Sequence, residues 1–307
     1  MPVDRSSHAT GTLIVGANGK LAAPVRPGKV NLADTPATLL GKNVGKGVKP
    51  ITFRGQGGLI YANGQKFAIK GANWFGSEDR NGPMQGLDEH SITFYLAFLR
   101  QHGFNAVRLH FNHESVLSNA KMYTRKVPKQ YHKFDHAPEL EGLTYVEMFA
   151  EIASQAAEYG LLVLIACHRT TPSAWPGQGK WYDGKITEAR VLQSWTKLAG
   201  TLCGHWNVFA ADIQNEPWSA SWGMGRGSDW NVAASRIGNH VLGKCPRWLI
   251  FVEGVGHTPG AAGQQPNAGY WWGGNLVGVH TAPVKLKDQS RLVYSPHTYG
   301  PSVYLQD

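Results

Sequence analysis

Residues 208–218, VFAADIQNEPW, join an apolar run to a polar ending. The run, residues 208–215, is typical of a buried strand, and Pro217 stops it because proline has no backbone N–H to donate. In parallel α/β folds, the carboxyl ends of buried strands face the place where chemistry is done. Glu216 is therefore the first candidate catalytic residue, with Asn215 beside it, although an ordinary strand end with a solvated acid has the same local pattern.

Around this stretch, two periodicities alternate along the chain. Apolar runs typical of strands lie at residues 67–74, 104–111, 161–168, 208–215, 248–255 and 291–299. Patterns typical of amphipathic helices lie between them, at residues 87–102, 145–159, 186–202 and 229–244. Strands and helices in repeated alternation predict an α/β fold with a parallel sheet covered by helices.

The first 50 residues differ from the rest in composition. They are rich in Gly, Ala, Pro and Lys without periodicity, which predicts a flexible N-terminal segment, residues 1–50, before one domain, residues 51–307. Asn63 and Gly64 lie between two apolar runs and predict a hairpin turn at the start of that domain. No hydrophobic core of a signal peptide is visible, and no run is long enough to span a membrane, so we expect no membrane partner.

The formal charge of +9 is concentrated in two places. Residues 1–50 carry seven Lys or Arg against two acids, and residues 121–133 carry five basic residues and no acid. A solvated tail and one basic loop explain this distribution better than a binding stripe, and no nucleic-acid motif accompanies it. We therefore expect no nucleic-acid partner, and we expect a monomer.

The cysteines and histidines give no sign of a metal site. Cys167, Cys203 and Cys245 lack metal-ligand spacing and allow at most one disulfide, and the first two lie in or beside apolar runs that favour burial as small apolar side chains. His110 and His113 have no third ligand at a recognised spacing. No Gly-x-Ser-x-Gly elbow of a serine hydrolase is present. We expect no metal and no other cofactor.

Polar and aromatic side chains follow successive predicted strands. A doubly wound sheet usually has a Gly-rich phosphate loop after its first strand, and none is found here. The strand-end residues are Asn73, Trp74, Arg108, His110, His168, Arg169, Asn215, Glu216, His297 and Tyr299. They converge on one face only if the sheet closes into a barrel, which predicts a TIM (β/α)8-type barrel enzyme. Taken alone, each of these residues has a structural role as the alternative to a functional one, such as the pairing of Arg108 with a structural carboxylate.

At these positions the chain resembles the cellulase-like glycoside hydrolases of family 5, (β/α)8 barrels with a retaining mechanism. The resemblance covers about residues 51–307 and is carried by IQNEPW, LIFVEG, YWWGGNL and LVYSPHTYGPSVY, in that order. It implies an endo-β-1,4-glucanase in which Glu216 is the general acid/base and Asn215 contacts the sugar 2-hydroxyl. A leaving sugar oxygen needs a proton as its bond to the anomeric carbon breaks, so Glu216 must be protonated when substrate arrives.

The resemblance also implies roles for four other residues. Arg108 is similar to the strand-two arginine that orients the site carboxylates, and His168 to the strand-three histidine. His297 and Tyr299 are similar to the strand-six pair that flanks the reacting centre, with the tyrosine hydroxyl bonded to the nucleophile. A β-glucan partner and an extracellular location follow from the same resemblance.

In this family the nucleophile belongs at the end of the seventh strand, typically in Glu-Phe-Gly, and this sequence ends at Asp307 after the sixth. About six of eight strands are therefore expected, as an incomplete barrel with no nucleophile in this chain. Glu253 matches a position to which the family assigns no such role, and Glu78 and Glu114 are typical of loop charges. We expect a truncated endoglucanase sequence that is inactive by itself; a non-catalytic glucan-binding relic is the alternative.

Tryptophans support a sugar substrate, because sugar rings pack on flat aromatic side chains. Trp74, Trp218, Trp271 and Trp272 are the predicted substrate-binding residues, and glycines beside the last two leave few side chains to bury them. Core packing is the alternative for any single tryptophan. The choice among cellulose, other β-glucans and mannan stays open, because it depends on subsite geometry.

Overall fold

A short antiparallel hairpin opens the described part of the chain. The computed structural model describes residues 51–79, 82–122, 134–173, 179–265, 269–300 and 302–303, so the predicted N-terminal segment and most of the basic stretch 121–133 lie outside it. The first three strands are β1 (Phe53–Gln56), β2 (Leu59–Ala62) and β3 (Gln65–Lys66). Asn63 and Gly64, both with positive φ, form the turn between β2 and β3 and confirm the predicted hairpin.

Six further strands form the central parallel sheet. They are β4 (Gly71–Trp74), β5 (Ala106–Asn112), β6 (Leu162–Arg169), β7 (Val208–Asp212), β9 (Leu249–Val252) and β11 (Leu292–Tyr294). Two short strands outside this sheet lie between them in the chain: β8 (Ser221–Trp222) and β10 (Gly260–Ala261). The sheet runs β4, β5, β6, β7, β9, β11, and each strand pairs in parallel with the next. The short strands β8 and β10 pair with each other.

This strand order decides between the two parallel α/β architectures. A doubly wound sheet reverses its order at a switch point, whereas a barrel adds each new strand beside the last. Here the spatial order equals the chain order, so the sheet is the six-stranded part of an incomplete TIM-type barrel, as predicted. Within the described residues, β4 and β11 are its two edges.

Helices follow most of the sheet strands. They are α1 (Ile92–Gln101), α2 (His113–Ser118), α3 (Tyr145–Glu158), α4 (Glu188–Leu202) and α5 (Trp230–Lys244). Four of them confirm the predicted helices, whereas the six-residue α2 was not predicted because it is too short to show a periodicity. Thr144 and Glu147 form a capping box that fixes the start of α3. None of the described helices is both long and apolar enough to cross a membrane.

Residues of the sheet alternate between two hydrophobic cores. Val107 and Leu109 of β5 belong to the core that also contains the helices, whereas Ala106 belongs to the second core. The second core includes Phe53 of the hairpin and Phe209 of β7, whose rings lie 5.1 Å apart. Because side chains alternate across a strand, residues in step with Ala106 point to this inner side of the sheet.

A disulfide joins Cys203 to Cys245, which follow α4 and α5 respectively. The two cysteines occupy equivalent positions in successive strand–helix units, so packing of adjacent helices brings their ends together. This bond is the one disulfide that the three cysteines allow, and Cys203 is therefore paired rather than packed as a free apolar side chain. Cys167 is free and buried, as predicted.

Candidate active site

The predicted site residues meet at the carboxyl ends of the sheet strands. Arg108, Asn215, Glu216, His297 and Tyr299 form one connected hydrogen-bond network. Two acids without a predicted catalytic role complete the network: Asp212, at the end of β7, and Glu253, just after β9. Convergence of several strands on one edge brings residues that are 37 to 145 positions apart in the chain into contact.

Glu216 lies in the left-handed region of the backbone map, with φ of 41°, and its side chain is buried. Such a φ is uncommon for a residue with a Cβ and costs on the order of 1–3 kcal/mol unless its surroundings hold it. Its Oε1 accepts hydrogen bonds from His297 Nδ1 at 2.8 Å and Tyr299 Oη at 3.1 Å. Its backbone N–H donates to Glu253 Oε2 at 2.7 Å. The backbone and the side chain of Glu216 are thus held by different hydrogen-bond partners.

Glu253 is fully buried and accepts from three sides. In addition to the Glu216 backbone, Arg108 Nη2 lies 3.1 Å and His297 Nε2 lies 2.9 Å from its Oε1. Burial, followed by the nearby charge of Asp212, raises the pKa of Glu253 to about 8. Because Arg108 and the Glu216 N–H can only donate, these contacts favour a carboxylate that accepts. The signal for this residue was available: Glu253 ends a strand in step with Leu249 and Phe251, two residues of the inner core.

Arg108 connects the carboxylates of the site. Its Nε and Nη2 donate to Asp212 Oδ2 at 2.9 and 2.7 Å, and Nη2 also reaches Asn215 Oδ1 at 3.0 Å. Arginine carries no acceptor, so these contacts fix the amide oxygen of Asn215 toward Arg108 and leave its NH2 group to donate elsewhere. Arg108 orients Asp212 and Glu253 directly, and it reaches Glu216 only through Glu253.

His297 bridges the carboxylates of Glu216 and Glu253 through its two ring nitrogens. Burial alone would lower the pKa of His297, but its hydrogen bonds to Glu216 and Glu253 raise it to about 10. With both carboxyl groups ionised, both ring nitrogens donate, which is the protonated form of the ring. His297 is therefore a buried cation between two acids.

Tyr299 reaches the same Glu216 oxygen from a more open position, 47% exposed. Burial, followed by the charge of Glu216, raises the pKa of Tyr299 to about 12, so the hydroxyl keeps its proton and donates. The family resemblance predicted a bond from this hydroxyl to the nucleophile. In this structure the hydroxyl donates to Glu216, the carboxylate within its reach among the described residues.

His168 lies in an adjoining group rather than on Glu216. Its ring stacks on that of His110 with centroids 4.4 Å apart, and Glu78 Oε1 lies 3.6 Å from His110 Nδ1 and 3.9 Å from His168 Nδ1. Burial, followed by the effect of His110, lowers the pKa of His168 to about 2, so its ring stays neutral. The predicted histidine thus lies near the strand end, grouped with His110 and Glu78.

Among the described residues, two groups of histidines and carboxylates are close enough to share a cation, and neither has a donor set that suits one. Arg108 Nη1 lies 2.8 Å from His110 Nε2, and because arginine donates, Nε2 must accept and Nδ1 must carry the ring proton. A protonated Nδ1 cannot ligate a metal beside Glu78. In the other group, Asp212, Glu253 and His297, the Arg108 guanidinium already contacts both acids.

The predicted tryptophans divide between surface and core. Trp218 and Trp272 stack with centroids 5.0 Å apart and ring planes 20° from parallel, and Trp272 is 41% exposed. Trp271 packs against Tyr299, with ring centroids 5.1 Å apart. Trp74 is largely buried: its side chain is only 8% exposed and donates to the carbonyl oxygen of Gln85. Trp74 belongs to the core on the helix side of the sheet.

A parallel β/α barrel with a carboxylate held between donors at its strand ends defines a class of barrel enzymes whose sites lie at that rim. The family model described as "Cellulase (glycosyl hydrolase family 5)" matches residues 60–307. The chain belongs to this family of glycoside hydrolases.

Named relatives agree with this assignment. An endoglucanase from Paenibacillus polymyxa is 37% identical over 81% of this chain and 60% of its own length. The major extracellular endoglucanase of Xanthomonas campestris pv. campestris is 33% identical over 81% of this chain and 49% of its own length. An endocellulase from Pyrococcus horikoshii, solved as a complex with cellotetraose, is 33% identical with a TM-score of 0.72, covering 83% of this chain and 71% of that chain. The chain thus spans about half to 60% of these two curated relatives.

Proposed function

We propose that this chain is the acid/base-bearing part of a retaining endo-β-1,4-glucanase that acts on cellulose or a related β-1,4-glucan. One observation carries the proposal: in a family 5 chain, the Glu216 carboxylate lies at the strand ends with His297 and Tyr299 donating to one of its oxygens. The names of the relatives, and the cellotetraose complex of one of them, support the substrate class.

Glu216 would deliver the proton that the leaving glucosyl oxygen needs. His297 and Tyr299 both occupy Oε1, so we assign the transferred proton to Oε2. After bond cleavage the carboxylate is ionised, and the two donors stabilise that charge. The same carboxylate can then take a proton from the water that completes hydrolysis.

Asn215 and the tryptophans would hold the sugar. The NH2 group of Asn215 is left to donate because Arg108 fixes its amide oxygen, which suits the contact with a 2-hydroxyl that the family resemblance implies. The stacked pair Trp218 and Trp272 offers an exposed aromatic face on which a glucose ring can pack.

A retaining mechanism also needs a nucleophilic carboxylate about 5–5.5 Å from the acid. Asp212 and Glu253, the other two acids of this network, are buried and bonded to Arg108, so neither can attack a sugar. We therefore propose that the nucleophile comes from sequence other than these 307 residues. By itself the chain would bind glucan without hydrolysing it, which is also the behaviour of the non-catalytic alternative.

We further propose an extracellular location. One relative is named as an extracellular endoglucanase, and the Cys203–Cys245 disulfide is typical of proteins that fold in an oxidising compartment.

The test combines calorimetric binding of cellotetraose with release of reducing ends from soluble cellulose. Three proteins are compared: the 307-residue chain, Glu216→Gln, and the matched control Glu114→Gln, which removes an acid paired with Lys185 outside the network. We expect cellotetraose to bind to all three and no turnover by any. Absence of binding would contradict the proposal that the chain has a glucan site. Robust Glu216-dependent turnover would contradict the proposal that the chain lacks the nucleophile.

A further inference from the structure

Glu253 is linked to Glu216 in two ways, one direct and one through His297. Its Oε2 accepts the Glu216 backbone N–H at 2.7 Å, and its Oε1 accepts from His297 Nε2 at 2.9 Å. The other nitrogen of His297 donates to Glu216 Oε1 at 2.8 Å. One buried carboxylate therefore contacts the main chain of Glu216 directly and its side chain through a single imidazole.

The direct route bears on the unusual backbone of Glu216. At φ of 41° the peptide N–H is turned away from the direction that a strand ladder would use, and it points into the buried carboxylate of Glu253. When Glu253 is ionised, this hydrogen bond is charge-assisted and roughly twice as strong as a neutral one. It can offset the cost of the left-handed conformation, which in turn sets where the Glu216 side chain leaves the main chain.

The second route controls the ring of His297. With an acid on each nitrogen, the imidazole cannot rotate or lose a proton without giving up its hydrogen bond to one of the two carboxylates. Gly273 packs directly against the two acids: a Cβ at that position would lie 2.7 Å from Glu253 Oε2 and 3.1 Å from Glu216 Cγ. The close approach of this glycine keeps the pair in a fixed, buried setting.

We propose that Glu253 is a positioning residue for the acid/base Glu216, acting through the Glu216 backbone N–H and through His297. This role rests on the proposed function of Glu216. It makes Glu253 a part of the catalytic apparatus that never touches the sugar, and it explains why a fully buried acid lies at the end of a barrel strand.

The role has a spectroscopic signature in the substrate-free chain. The charged groups that face His297 and Glu253 are Arg108, Asp212, Glu216 and, when ionised, Tyr299. Two acids on one imidazole hold His297 protonated well above neutral pH, where an ordinary histidine is neutral. The Glu216 amide proton, bonded to a carboxylate, is expected at unusually low field.

The experiment is a pH titration of the 307-residue chain followed by ¹⁵N NMR of the histidine rings and by the Glu216 amide resonance. The variants are Glu253→Gln and the matched control Asp212→Asn, which neutralises the other acid on Arg108; the Asp212 carboxylate is hydrogen-bonded to Arg108 and not to Glu216 or His297. We expect Glu253→Gln to lower the pKa of His297 by about one pH unit or more and to move the Glu216 amide upfield, because one acid partner becomes neutral. Asp212→Asn should change both signals by less than half as much.

Equal changes in both variants, or none in Glu253→Gln, would overturn the positioning role. If Glu253→Gln does not fold, the wild-type titration is decisive: a His297 that titrates near an ordinary pKa contradicts the bridge between two acids. These signals need no substrate. A chain with the expected signals that fails to bind cellotetraose therefore refutes the proposed function, whereas one that binds cellotetraose without the signals refutes only the role of Glu253.

Discussion

The hydroxyl of Tyr299 donates to Oε1 of Glu216 across 3.1 Å, and His297 donates to the same oxygen. Both donors lie just after β11, the last strand of the sheet, whereas Glu216 follows β7. The acid is therefore held from a strand two places away in the sheet, across β9. This relationship explains why the site depends on the winding of the barrel rather than on any single motif.

The stacked tryptophans should matter for glucan binding more than for folding. We expect Trp272→Ala to weaken cellotetraose binding roughly tenfold, since aromatic packing of this kind contributes on the order of 1 kcal/mol or more. Calorimetry measures the change. Val232→Ala, which shortens an exposed side chain on α5, serves as the control. A Trp272→Ala protein that binds as tightly as the control would exclude this residue as a subsite.

Removal of the disulfide should destabilise the fold. The loop between Cys203 and Cys245 spans 42 residues, and closing it contributes about 4 kcal/mol through the entropy of the unfolded chain. We expect the double variant Cys203→Ser with Cys245→Ser to show that loss in chemical unfolding. A reducing agent should destabilise the wild type and leave the double variant unchanged; equal sensitivity of the two proteins would argue against the bond.

Acid should destabilise the chain through a buried histidine outside the site. Burial lowers the pKa of His113 to about 3, although Asp183 counteracts this slightly. His113 binds a proton near pH 6.5 in the unfolded chain but only near pH 3 in the folded chain. The contribution of its neutral ring to stability is therefore complete above pH 6.5 and is lost as the pH falls toward 3. The loss amounts to about 1.4 kcal/mol for each pH unit in that window.

The check is a series of urea unfolding curves between pH 7 and pH 4 for the wild type and for His113→Gln. The variant lacks the titrating ring, so its unfolding free energy should fall less steeply with acidity. Parallel slopes for the two proteins would mean that His113 titrates normally.

Arg108 should be costly to remove because it neutralises buried acids. We expect Arg108→Met to lower the unfolding free energy by about 3–5 kcal/mol, the usual cost of leaving a buried charge unpaired. Combining it with Asp212→Asn should cost less than the sum of the two single changes, since the unpaired charge is then gone. Additive losses in this double-mutant cycle would show that the two residues do not interact.

Much of this architecture is predictable from local pattern. Apolar runs and helical periodicity indicate the six sheet strands and four of the helices, because burial imposes those spacings on each segment separately. Glu216, Asn215, Arg108 and His297 are predictable as site residues, since the carboxyl ends of parallel strands must meet.

The remaining features depend on which face or which neighbour a residue meets. Trp74 is adjacent to Asn73, whose side chain bonds Arg108, and a shift of one position along a strand turns a side chain to the opposite face. The Cys203–Cys245 bond depends on how two helix ends pack. The tautomer of His110 depends on a guanidinium that approaches it in space, which no spacing in the sequence specifies.

The central claim is that a β-1,4-glucan binds at the strand ends against Glu216, and an NMR titration with cellotetraose tests it most directly. We predict that the backbone amide of Glu216, the ring of His297 and the indole N–H of Trp272 shift along one common saturation curve, while the buried indole N–H groups of Trp195 and Trp248 do not respond. Shifts that map away from Glu216, or no response to cellotetraose at all, would contradict the account.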